Sequence, residues 1–398
     1  MSIRNAVLVS AIGALAAVTP AHALVINLVN TGGAEAGTQA RKGFEVAAKY
    51  WSSIFTDNVT VNLQIGFQSL APGVLGSTDS ARSLLSMSQT YAALGADRTS
   101  ALDYQAVSSL QPLGVSALGP SFGAVTAVTN AFNANNNGYV DTATRLDNDG
   151  GVNNSATAIT KATAKALGVT VDVNGNAINY ASADASVTFS SNFGFDFNPT
   201  DGVSAGKYDF IGVAIHEIGH ALGFVSGVDS YDLRTGPAGP NRTSGLLENF
   251  VVVSQLDLFR YSAPGVLDWS TSSASKYFSV DGGNSQLFGD SRFSLGRYNG
   301  NGQQASHFLD AVTCSDQLGI MDPTLCSGTV AEITALDLAA FDTIGWDLDL
   351  DVLNNADYLF STADAYRAFT VPLPPSFALA LTALGLMGVS ARSRRRKS

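Results

Sequence analysis

The stretch from Asp209 to Leu222 constrains this chain more than any other. Placed on a helix at about 100° per residue, Ile211, Ile215, Ile218 and Leu222 form one apolar stripe. His216 and His220 then fall nearly opposite that stripe, one turn apart. Asp209 suits the N-cap and Gly223 the helix stop. Imidazoles at i and i+4 can each turn a nitrogen toward one tetrahedral ion. Glu217, between them, stands at a reach suited to a water on that ion rather than to the ion itself. Economy argues against coincidence: the 398 residues contain only four histidines, and two are in this pentapeptide.

A catalytic zinc needs a third protein ligand and an open fourth position. A short spacing would place that ligand six residues after His220, but the chain has Ser226 there. Three candidates remain. His307 is the one other histidine beyond the leader, Glu248 could complete the site from a later helix, and Asp229 lies just behind the glycine turn.

Fourteen residues after His307 comes Met321, within Gly319-Ile320-Met321-Asp322-Pro323. This pairing resembles the leishmanolysin-type metzincins, zinc proteases in which a long insertion separates the glycine turn from a Ser-His ligand and a methionine turn follows. The resemblance rests on 209–223 and 305–323. It implies Zn2+ on His216, His220 and His307, Glu217 as catalytic base, Gly223 at the turn and Met321 as the floor beneath the metal. It also implies an α+β metzincin-like domain over 24–368: a twisted, mostly parallel sheet, an active-site helix, a C-terminal helix and long loop insertions, chiefly 225–304. That insertion is expected to build part of a cleft wall, with Asp257 to Tyr261 serving packing ahead of specificity. The activity implied is hydrolysis of protein or peptide substrates by metal-activated water.

The rest of the body alternates helical and strand signals. Phe44, Ala47, Ala48, Trp51 and Phe55 have helical spacing, and Val59 to Phe67 alternates as a half-buried strand does. Further helices are expected over Ser77 to Leu94, Ala162 to Leu167 and Glu332 to Ile344, and a strand over Ser186 to Ser190. Asn133 to Asp141 and Asp147 to Asn154 carry side-chain oxygens at alternate positions, so Ca2+ is an alternative there to solvated Asn-rich turns. The first loop lacks the closing Glu of an EF-hand.

Both ends read as addresses. Residues 1–23 have a positive Arg4, an apolar stretch from Ala6 to Val18 and an Ala-His-Ala cleavage site, as a signal peptide does. Export favours pairing of the only two cysteines, Cys314 and Cys326, which flank Met321. At the other end, 371–398 combine a Pro-rich breaker, a short apolar segment and a basic cluster from Arg392 to Lys397. This tail resembles the PEP-CTERM sorting signals of Gram-negative bacteria, with Leu373 where an acid is usual. It implies transient membrane contact, processing by an exosortase-type enzyme and a place at the cell surface or outside it. The end segments hold six of the 22 Lys and Arg and no acid, leaving 16 bases against 33 acids, a body near −17. Such a body repels nucleic acid and anionic membrane.

The expectation is thus a surface-anchored or secreted zinc endopeptidase. The competing readings are an inactive surface or adhesive protein on the same fold, against which the retained Glu217 argues, and a zinc hydrolase of non-peptide bonds.

Overall fold

The computed structural model describes residues 24–120, 123–129, 144–234, 238–240, 250–314 and 317–370. The leader 1–23, the loop Asn133 to Asp141, Glu248 and the tail 371–398 lie outside them. No helix among the described residues is long and apolar enough to cross a membrane.

The architecture mixes helices with several mixed sheets. The sheet that matters for the site has four strands in the order Val25–Gly32, Thr60–Gln68, Ala185–Ser190, Gly76–Ser80. The first three run parallel, and Gly76–Ser80 pairs antiparallel to Ala185–Ser190 along one edge. Val61, Leu63 and Ile65 alternate inward and are fully buried, so the period of two predicted from sequence is the one the core uses.

Helix Gln39–Ile54 begins at an N-cap Thr38 and packs across this sheet onto helix Phe210–Ala221. The contact is close because Gly43 has no side chain: a Cβ there would stand 2.3 Å from the Phe210 ring. Phe44 meets Phe189 and Phe210 edge-on, with centroids 4.9 and 5.1 Å away. Buried Trp51 donates its indole N–H to the Ile215 carbonyl at 3.1 Å. That bond satisfies a donor whose burial alone would cost about 1–3 kcal/mol.

A second, six-stranded sheet joins Thr126–Thr129 and Thr144–Asp147 to four strands of the 225–304 insertion, Arg260–Ala263, Val266–Asp268, Lys276–Phe278 and Arg292–Phe293. Asp257 to Tyr261 are all buried here. Asp257 accepts from the Ser226 hydroxyl and from the backbone N–H groups of Gly227 and Ser254, so it knits the insertion to the glycine turn.

Two helix expectations fail in part. Ser77 to Leu94 is strand, strand, then helix: Gly76–Ser80 and Arg82–Ser86 take partners about a hundred and about seventy residues away, and the helix starts only at Met87 behind the capping box Ser86–Gln89. Glu332–Thr334 is likewise a strand, paired with Leu359–Ser361, and the helix runs from Ala335 to Thr343. In both places non-local pairing overrides local periodicity.

Candidate metal centre

The helix Phe210–Ala221 starts where expected. Asp209 Oδ1 accepts the backbone N–H groups of Ile211 and Gly212 at 3.0 and 3.1 Å. Its Oδ2 accepts from Ala331 N–H and the Thr362 hydroxyl, tying the helix start to two later segments. Ile211, Ile215, Ile218 and Leu222 are fully buried, which turns His216 and His220 to the opposite face. The helix stops at Gly223, whose φ of +118° favours glycine. The turn brings the Phe224 carbonyl to 2.6 Å from His220 Nδ1. The orphan carbonyl of Leu222 is taken by Trp346 Nε1 at 2.7 Å and the Thr163 hydroxyl at 3.1 Å.

His307 arrives from the far end of the insertion. Its Nε2 lies 3.1 Å from His220 Nε2 and 3.2 Å from His216 Nε2, and those two are 3.1 Å apart. Each Nδ1 faces a backbone carbonyl: Ile320 for His216 at 2.7 Å, Phe224 for His220, and Gln304 for His307 at 3.2 Å. A carbonyl can only accept, so each ring carries its proton on Nδ1 and leaves an Nε2 lone pair toward the common centre. Three converging lone pairs repel one another unless a cation sits among them. Tetrahedral zinc with nitrogens at about 2.0–2.1 Å separates its ligands by about 3.3 Å, close to the spacings found. Among the described residues this is the one group of potential ligands whose donor atoms converge.

Burial pushes the imidazoles down, His216 to about 4, His220 to about 3 and His307 well below the usual range, with neighbouring rings adding to the effect on the latter two. They stay neutral, as ligands must.

Glu217 is buried beside them. Burial raises its carboxyl to about 7, against the opposing pull of a hydrogen bond from Thr78. Thr78 lies on the edge strand Gly76–Ser80, and its hydroxyl stands 2.6 Å from Glu217 Oε2. The group faces a cleft of about 790 Å³, lined among others by Gly76, Ser226, Gln304, His307 and Pro323.

Met321 lies fully buried under the helix; a Cβ on Gly219 would stand 2.7 Å from its sulfur. The turn that holds it is anchored by Asp337, whose carboxylate accepts the backbone N–H groups of Ile320 at 2.8 Å and Met321 at 3.0 Å. That grip also sets the Ile320 carbonyl against His216. Cys314 and Cys326 are bonded to each other, bracketing the turn.

The rival ligands fall elsewhere. Asp229 accepts Ala305 N–H at 2.6 Å and Ser306 N–H at 3.1 Å, so it buttresses the loop of His307. Glu248 is outside the described residues. Of the two calcium-like loops, Asp147 to Asn154 closes on itself, Asp147 accepting from the Asn153 and Asn154 amides at 2.6 and 3.0 Å. Sequence reasoning missed Thr78, Gly76 and Asp337 as parts of the site. Only Asp337 had a signal, the Thr334-x-x-Asp337 capping pattern.

No protein-family model, curated protein or solved structure matches this chain.

Proposed function

We propose that the protein is a zinc-dependent endopeptidase, akin to the metzincins, that hydrolyses peptide bonds with water. The observation that carries this reading is the convergence of three Nε2 atoms within 3.1–3.2 Å beside a buried, positioned Glu217 at the wall of an open cleft. A purely structural zinc site is closed by a fourth protein ligand and needs no adjacent base. Among the described residues no fourth ligand converges on the three histidines, and the base is present.

A zinc ion held by His216, His220 and His307 supplies Lewis-acid polarisation of the scissile carbonyl and acidifies water toward neutrality. The chain's own groups supply the rest. Glu217 takes a proton as water attacks the carbonyl carbon and delivers it to the departing amine nitrogen. Its position suits that double duty, because the carboxylate is held by Thr78 on one oxygen and faces the cleft with the other. The three backbone carbonyls behind the imidazoles hold the ring orientations. Met321 and Gly219 pack without a gap beneath them. The signal-peptide-like and sorting-tail-like segments at either end support a reaction outside the cell or at its surface.

The test is hydrolysis of casein or gelatin by the purified protein, with and without chelator, alongside Glu217→Ala. Activity that disappears on chelation, returns with zinc and is absent from the variant supports the reading. A wild type that contains zinc and cleaves no peptide overturns it in favour of an inactive surface protein, or of a non-peptide hydrolase if an ester or amide panel responds.

A further inference from the structure

The edge strand Gly76–Ser80 grips the general base from two sides. Thr78 Oγ lies 2.6 Å from Glu217 Oε2 and 2.8 Å from the main-chain carbonyl of the same residue, so its one proton is shared between side chain and helix. Two positions earlier on the same face of the strand, Gly76 lies against the other carboxylate oxygen: a Cβ there would stand 2.6 Å from Oε1. Ser80, two positions later, donates to the His220 carbonyl at 3.2 Å. Alternate residues of one strand thus track the histidine helix along a full turn.

The strand can impose a position because it is itself held. Gly76, Thr78 and Ser80 pair in register with Phe189, Val187 and Ala185. Threonine is β-branched and stiff at χ1, so its hydroxyl has little freedom once the backbone is fixed. Oε2 is occupied, and Oε1 is left without a hydrogen-bond donor among the described residues at the wall of the cleft.

We infer that Thr78 is a positioning residue for the hydrolytic reaction, fixing the Glu217 carboxylate so that Oε1 alone is presented to the attacking water, with Gly76 leaving the space that this orientation requires. The inference rests on the endopeptidase reading for its kinetic consequence but not for its structural one. A carboxylate displaced by about 1 Å from its reacting partner loses roughly 100-fold in rate. Thr78→Val keeps the shape and removes the hydroxyl. It should lower kcat by roughly 100-fold with KM little changed and zinc content equal to wild type. Thr78→Ser, which restores the donor, should recover to within about threefold of wild type. Gly76→Ala should lose kcat from the opposite side, again with zinc retained.

Each variant is to be assayed on the same peptide, with zinc measured by elemental analysis, and Thr78→Val solved crystallographically with zinc bound. A carboxylate that leaves its wild-type position in the crystal, together with the kcat loss and the serine rescue, supports the role. Thr78→Val within threefold of wild type, or Thr78→Ser no better than Thr78→Val, overturns it. Should wild type cleave no peptide, the endopeptidase reading has failed and the crystal decides alone: a carboxylate unmoved in Thr78→Val overturns the positioning role too.

Discussion

Asp229 Oδ2 accepts the backbone N–H of Ser306 at 3.1 Å and so fixes the residue that immediately precedes His307. Its other oxygen holds Ala305, and the Ser306 hydroxyl closes the same clasp. Ser306 Oγ in turn accepts the N–H of Ser226, the residue standing where a short-spaced third ligand would have been. The glycine turn and the distant His307 are therefore joined directly, without the metal.

From that clasp a first prediction follows. Asp229→Ala should fold, since the apolar core is untouched, but should bind zinc about 10–100-fold more weakly, the usual cost of losing a group that orients a ligand. Competition against a chromogenic chelator measures it. An affinity equal to wild type would mean that His307 holds its place without the clasp.

Metal removal should lower stability sharply. Neutral imidazoles with three lone pairs about 3.1–3.2 Å apart gain most from a cation in the native state, and the unfolded chain cannot reproduce the arrangement. With free zinc at about a thousand times its dissociation constant, the native state gains about 4 kcal/mol. Chelation should depress the thermal midpoint of wild type and have far less effect on His307→Ala. Equal shifts in the two proteins would place the bound ion elsewhere.

What the sequence disclosed follows from how local each feature is. The helix over 210–221 was legible because its apolar stripe, its cap at Asp209 and its stop at Gly223 all lie within fifteen residues and agree. His307 was legible only through the scarcity of histidine and the methionine turn that follows it, for no local pattern ties it to His216. Thr78 was invisible. Its segment reads as polar helix, and its meaning comes from a partner strand a hundred residues on and a glutamate still later. Asp229 reads as a candidate metal ligand from sequence only because it lies close behind the glycine turn. Its carboxylate is instead spent on the backbone of residues 305 and 306, a choice made by loop packing that no spacing encodes.

The disulfide offers a third prediction. Cys314–Cys326 closes a loop that contains Ile320, whose carbonyl orients His216. A cross-link over a dozen residues constrains the unfolded chain by about 3 kcal/mol in the loop-entropy account. The paired variant Cys314→Ser/Cys326→Ser should lower global stability by up to that amount, read from denaturant midpoints, and should speed release of zinc to a chelator. If release is no faster, Asp337 alone is sufficient to hold the methionine turn.

The last prediction concerns pH. Asp57, Asp97, Asp103, Asp342 and Asp347 gather where the turn before helix Ala101–Ser108 meets the end of helix Ala335–Thr343, and no ion pair to any of them is found among the described residues. Burial, then mutual repulsion, raises Asp57 and Asp97 to about 7 and Asp342 to about 8. In the unfolded chain the same carboxyls titrate near 4. A group that holds its proton more tightly in the folded state contributes its stability in full below the unfolded value and loses it as pH rises through the folded one. Asp57, Asp97 and Asp342 should therefore make the zinc-loaded protein progressively less stable from about pH 4 up to about pH 8, with little further loss above that. Asp342→Asn keeps the acceptor for Ser100 while removing the charge, so it should flatten that decline and gain most at the alkaline end. Unfolding midpoints in urea at stepped pH measure both slopes. Parallel slopes for wild type and variant would show that Asp342 takes no part in the titration.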